Sequence, residues 1–139
     1  MLEQAEAVGT SRPIEWRQAD AMALPFPDGM FDAVLCQFGV MFFSHKAFSE
    51  IWRVLRPGGV FIFNVWDRIE ENEFANIATA ALESLFPDDP PRYHARIPHG
   101  YYSRTTIEHD LVTGGFTAAP QFTTVTKQSH ALSPRFRRD

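Results

Sequence analysis

Two nearly unbroken apolar runs, residues 33–38 and 60–66, flank one amphipathic segment, and this arrangement constrains the fold more than any other feature of the chain. Runs so short and so apolar suit strands buried on both faces, the condition of parallel strands in an α/β protein. Between them Ser44 stands as an N-cap, and Phe48, Ile51, Trp52 and Leu55 recur at the helical period until Pro57, Gly58 and Gly59 stop the run. Strand, helix, strand at this spacing is a βαβ unit, whose crossover is almost always right-handed. A chain of 139 residues built on such a unit holds one core, not two.

The flanking segments extend the same pattern. Residues 2–8 predict a short helix with Leu2, Ala5 and Val8 on one side, closed by Gly9. Residues 14–19 alternate apolar and polar side chains, which predicts a short strand ending at the carboxylate of Asp20. A second helix is expected over residues 72–86, with Phe74, Ile77, Ala78, Ala81, Leu82 and Leu85 in one stripe that needs a core to cover. Residues 87–100 hold four of the ten prolines and read as a long irregular loop, a candidate functional segment. Thr105 and Glu108 form a capping box that opens a helix with Ile107, Leu111 and Val112 inward, ended by Gly114 and Gly115. Residues 122–130, rich in Thr and Val, predict a last strand.

Charge and composition narrow the function classes. Thirteen Lys and Arg against 17 Asp and Glu leave a net charge of −4, which argues against an electrostatic grip on nucleic acid or an anionic membrane. Arg135, Arg137 and Arg138 make a short terminal cluster, read as a solvated tail. The single cysteine, Cys36, cannot close an internal disulfide, and with no secretory signal pattern a reducing, cytoplasmic setting is expected. No apolar run approaches the roughly 20 residues that span a bilayer. His45, His94, His99, His109 and His130 are scattered, without HExxH or paired cysteines, so no metal site is expected.

In doubly wound sheets, ligands lie beyond the carboxyl ends of the parallel strands. Three stretches qualify: Asp20, Ala21 and Met22; residues 36–42; and residues 64–67. Around them the order Asp20-Ala21, Leu24-Pro25-Phe26-Pro27-Asp28, Phe31-Asp32-Ala33-Val34, Glu50 and Arg53-Val54-Leu55-Arg56-Pro57-Gly58-Gly59 resembles class I S-adenosylmethionine-dependent methyltransferases. The likeness is to the type 11 group that includes the ubiquinone/menaquinone-biosynthesis methyltransferases. It is specific over about 50 residues and continues weakly through residues 107–116.

The resemblance implies S-adenosyl-L-methionine as cofactor and a small-molecule methyl acceptor. Position by position, it implies that Asp20 accepts a hydrogen bond from the adenine amino group while the backbone N–H of Ala21 or Met22 meets a ring nitrogen. It further implies that Cys36, Gln37 and Phe38 present their backbone to the methionine part and line the reacting methyl. Met41, Phe42 and Phe43 fit either pocket wall or core, and Cys36 is read as a small buried residue rather than a nucleophile. Methyl transfer needs proximity, alignment and desolvation more than a fixed catalytic residue, so no triad is expected. Where an acceptor needs deprotonation, His94, His99 and Tyr101 in the Pro-rich loop are the candidates for a base or for the acceptor wall. Arg56, Pro57, Gly58 and Gly59 are read as a structural stop and turn.

The same resemblance implies that a glycine-rich first loop and a ribose-binding carboxylate precede the residues seen here, and that a seventh strand follows them. The expected fold is thus a partial Rossmann-like α/β domain with a mostly parallel sheet, lacking its first two strands and its last. Residues 1–66 form the cofactor side, 67–104 a helix and lid-like insertion, and 105–139 the C-terminal part. In the family's strand order, 3-2-1-4-5-7-6, only the strands at 33–38 and 60–66 keep their neighbour, which leaves open edges prone to self-association. Losing the ribose carboxylate forfeits on the order of 3 kcal/mol, about a hundredfold in affinity, so weak cofactor binding is expected. A non-catalytic interaction module on the same fold is the alternative reading, with a Rossmann oxidoreductase a lower one.

Overall fold

The structure is a computed structural model that describes residues 3, 4, 7, 9 and 11–126. Two strands, β1 (Phe31–Gln37) and β2 (Leu55–Asn64), pair directly in parallel and are joined by helix α1 (His45–Val54). They form the βαβ unit that the apolar runs predict. Helices α2 (Glu73–Leu85), the single turn α3 (Tyr93–Arg96) and α4 (Arg104–Thr113) follow, with short 3-10 turns at Val40–Phe42 and Ile69–Glu71.

Helix α1 begins after Ser44, whose backbone is extended but whose side chain makes no cap bond. It ends one residue earlier than the periodicity suggests, because Leu55 already has extended geometry and pairs with Phe31. Arg56 precedes a proline and is therefore biased towards extended backbone. The chain loops out over Arg56, Pro57, Gly58 and Gly59, and pairing resumes at Ala33 with Val60 and continues to Gln37 with Asn64. The Pro-Gly-Gly segment is thus a wide bulge inside β2 rather than a turn before it.

One face of the pair builds the core. Val40, Phe48, Ile107 and Leu111 form its buried centre, and Cys36, Phe43, Phe61, Phe63, Val65, Tyr101, Phe116 and Phe122 pack around it. Phe61 meets Phe48, Phe63 and Phe116 at ring separations of 6.4, 4.8 and 5.8 Å. Helix α4 closes on α1 so tightly that a Cβ at Gly114 would lie 2.5 Å from the Phe48 Cβ. Gly115 follows at φ +106°, against the Trp52 ring.

Several expectations are corrected. The strands are not buried on both faces: Leu35, Val60 and Ile62, all on the face away from α1, are more than half exposed. The α2 stripe finds no core either, with Phe74, Ile77 and Leu85 exposed and no residue of the helix fully buried. Trp52 and Val112 face solvent although their spacing placed them inward. The N-cap of α4 is Ser103, which accepts from the Thr106 N–H, so Thr105 falls inside the first turn. Helix α2 starts as expected, with Asn72 accepting from the Ala75 N–H at 3.1 Å.

Residues 13–19 form no strand, and Asp20 makes only an isolated bridge to Ala23. An alternating segment becomes a strand only where a neighbour accepts its hydrogen bonds, and none is offered among the described residues. Residues 122–126 are likewise unpaired, while the rest of the expected last strand and the Arg135–Arg138 cluster lie outside the described residues. At the other end, Glu3, Gln4 and Ala7 are helical and Gly9 has φ +66°, whereas Leu2, Ala5 and Val8 lie outside the described residues.

Candidate functional site

The carboxyl ends of β1 and β2 converge on a small aromatic cluster. After β1 the chain turns at Phe38, which has φ +50°, a left-handed conformation that costs a non-glycine residue about 1–2 kcal/mol. Two contacts hold it there. Its N–H donates to the Asn64 side chain at 2.8 Å, and its ring stacks on Trp66 with centroids 4.2 Å apart and planes 15° from parallel. Behind the turn, a Cβ on Gly39 would sit 2.6 Å from the Cys36 sulfur, so the backbone closes directly on that side chain. Burial raises the Cys36 thiol pKa above its ordinary value, in line with a packing role.

Asp20, the expected adenine partner, sits in a tight turn. Its Oδ1 accepts from the Met22 N–H at 2.9 Å, and its carbonyl accepts from the Ala23 N–H at 3.0 Å. The Met22 N–H is therefore committed within the turn. Of the two backbone donors considered, Ala21 alone has no partner among the described residues.

Beyond this turn, residues 24–29 are clamped to α1 through Arg53, which pairs with both Asp28 and Glu50. Arg53 donates to both Glu50 carboxylate oxygens at 2.9 and 2.8 Å, to Asp28 at 2.7 Å, and to the carbonyls of Phe26 and Leu24 at 2.8 and 3.0 Å. Glu50 in turn accepts from the Leu24 N–H at 2.8 Å, and Gly29 donates to the Arg53 carbonyl at 2.9 Å. The Arg53 guanidinium holds the Glu50 carboxyl well below the usual range, at about 2, with the Leu24 N–H adding to the effect. Arg17 reaches the same loop, donating to the Pro25 carbonyl at 3.3 Å and lying over the Phe26 ring.

The acceptor-side candidates separate. His99 is buried beside the strand ends, its Nδ1 2.8 Å from the Asp67 carbonyl and its ring 5.8 Å from Trp66. An exposed loop position, the ordinary expectation for it, is corrected. His94 lies exposed on α3 against Tyr93, and its carbonyl receives the His99 N–H at 3.0 Å. Tyr101 packs on the core and donates its hydroxyl to Asp110 at 2.6 Å; burial, then that carboxylate, raises its pKa, so it stays protonated. Phe42 is exposed, Met41 is half-buried, and Phe43 packs into the core, edge-on to Phe48.

Asn64, Trp66 and Asp67 belong to a stretch the sequence marks only by its place after a strand. A polar Asn closing an apolar run was the available signal for its bond to Phe38. A broad, open depression elsewhere is lined by Asp88, Asp89, Pro90, Pro91, Arg92 and Arg96, and includes none of these strand-end residues.

Comparison with known proteins shows what this framework is similar to. Residues 1–63 match the family model described as a methyltransferase domain. Over that stretch the chain is similar to class I methyltransferase domains. Over 63 residues it is 51% identical to a demethylmenaquinone methyltransferase of Thermus thermophilus, an alignment covering 42% of this chain and 29% of that protein. It is 34% identical over 86 residues to the ubiquinone/menaquinone biosynthesis C-methyltransferase UbiE of Roseobacter denitrificans, covering 60% and 31%. UbiE of Pseudomonas aeruginosa is 31% identical over 119 residues, covering 78% and 46%. The chain spans less than half the length of each of these relatives.

The methyltransferase match gives the β1–α1–β2 unit its place in a partial Rossmann-like fold and implies S-adenosylmethionine as the family's cofactor. The residues present fit its adenine end in part: Asp20 is exposed and acceptor-only, and the Ala21 N–H can donate, but the Met22 N–H is already used. Among the described residues no group of His, Cys, Asp and Glu is arranged to hold a metal ion. No helix there is long and apolar enough to cross a membrane.

Proposed function

We propose that the chain supplies part of a site for S-adenosylmethionine-dependent methyl transfer to a small-molecule acceptor. The observation that carries this reading is the parallel pair β1–β2, whose carboxyl ends bring residues 36–38 beside Asn64, Trp66 and His99. The cofactor, when bound, supplies an electrophilic methyl group. The chain's own residues bind and orient: Asp20 accepts the adenine amine, the Ala21 N–H meets a ring nitrogen, and the backbone of Cys36, Gln37 and Phe38 borders the methionine part.

Transfer in line needs alignment and a dry contact rather than a proton relay, and the Phe38–Trp66 stack offers an apolar wall for that purpose. Residues 1–66 act as the cofactor side and 67–104 as the acceptor-side insertion. Relatives named for quinone biosynthesis make a quinone-like metabolite the first acceptor to assay.

Asp20 is the one carboxylate assigned to the cofactor, so these 139 residues are expected to bind it weakly, about a hundredfold below a site that also bonds the ribose. Calorimetry or NMR titration tests this. Asp20→Asn is expected to weaken binding by about tenfold, as loss of a charge-assisted bond does. No saturable binding at millimolar ligand removes the reading, and micromolar binding contradicts the weakness argued here.

A second reading, an interaction module on the same fold, is supported by the exposure of Leu35, Val60 and Ile62 on one sheet face and of Phe74, Ile77 and Leu85 on α2.

A further inference from the structure

We propose that His99 selects methyl acceptors bearing a hydrogen-bond donor, through an imidazole whose Nε2 is fixed as the acceptor atom. The proposal rests on the reading above that acceptors sit at the carboxyl ends of β1 and β2. His99 is only 5% exposed, and its Nδ1 lies 2.8 Å from the Asp67 carbonyl oxygen. A carbonyl oxygen can only accept, so this bond requires the hydrogen on Nδ1 and leaves the lone pair of the neutral ring on Nε2.

Every buried side-chain nitrogen or oxygen among the described residues has a partner, and Nε2 has none. Nε2 is therefore not sealed in; the little exposure the residue keeps includes this atom. The ring is anchored by the Asp67 carbonyl, and the backbone of His99 is held by its amide N–H, which donates to the His94 carbonyl at 3.0 Å. Beside it, 5.8 Å away between centroids, lies Trp66, stacked in turn on Phe38. A fixed acceptor nitrogen next to a flat apolar wall suits a small planar molecule with an O–H at its rim. The wall holds the body, and Nε2 takes the O–H and thereby orients the oxygen.

The other two candidates lack this combination. His94 is exposed, and among the described residues its ring meets Tyr93 and not the strand-end cluster. The Tyr101 hydroxyl is spent on Asp110.

The test titrates 2-naphthol and its methyl ether, 2-methoxynaphthalene, into the 15N-histidine-labelled 139-residue chain. The two probes share a plane and differ in the donor. The 15N spectra are expected to show the hydrogen of His99 on Nδ1, and the naphthol is expected to bind about five- to tenfold more tightly than the ether, the size of one hydrogen bond. His99→Asn keeps a donor for the Asp67 carbonyl but removes the acceptor at Nε2, and His99→Phe keeps a flat ring without either; both are expected to bring the ratio to about one. Trp66→Leu is expected to weaken both probes alike. A hydrogen found on Nε2, equal binding of the two probes, or a ratio that survives His99→Asn overturns the role of His99 alone. Binding of neither probe overturns the strand-end site and the role of His99 with it.

Discussion

Arg53 shows how much one side chain can organise. It holds Glu50, Asp28 and two loop carbonyls at once, and Glu50 completes the clamp through the Leu24 N–H. The Glu50 carboxyl, at about 2, sits below its ordinary 4.5, so the unfolded chain binds a proton more readily than the folded one. The clamp therefore contributes fully above about pH 4.5 and is lost as pH falls towards 2. Thermal unfolding followed across that window should show a midpoint dropping in the native chain and a smaller drop in Glu50→Gln, already weakened at neutral pH. Phe38 makes the complementary case, since its left-handed backbone is held by one hydrogen bond and one stack. Asn64→Ala is expected to cost about 1 kcal/mol in chemical denaturation. The sequence announced the Leu24–Asp28 motif as a pattern, but neither the turn at Asp20 nor that Glu50 and Arg53, more than 20 residues away, hold the loop in place.

Among the elements, those whose hydrogen bonds are internal or whose partner is near in sequence were legible, and those needing a distant neighbour were not. Helices α1, α2 and α4 appear where periodicity predicts them, and β1 and β2 pair across the helix that joins them. Residues 13–19 carry as clear an alternation as many strands, yet alternation specifies faces and not a partner. Periodicity also misjudged Trp52 and Val112, because an apolar stripe is wider than the surface that covers it. Where α4 meets α1 the fit is close, and Gly114→Ala drives a methyl into Phe48, expected to cost about 1–3 kcal/mol. Val112→Ala, at an exposed position of the same helix, should change stability by no more than about 0.5 kcal/mol. Paired denaturant titrations of the two variants check both.

On the scale of the whole molecule, a two-stranded parallel sheet covered on one side leaves apolar surface and strand edges open. Self-association through them is the expected result: sedimentation should show a weight-average mass that rises with concentration, and Leu35→Lys with Ile62→Lys should suppress the rise while leaving the Phe48 core intact. The same architecture separates two kinds of residue. The Arg53 clamp grips the chain just before β1 begins, whereas Phe38, Asn64 and Trp66 gather where the strands finish, about 20 Å away at the rise of a β-strand. The clamp residues, part of the motif on which the family resemblance rests, thus stand at the opposite end of the strands from those proposed to meet an acceptor. A likeness carried by the clamp therefore says nothing of the chemistry at the other end.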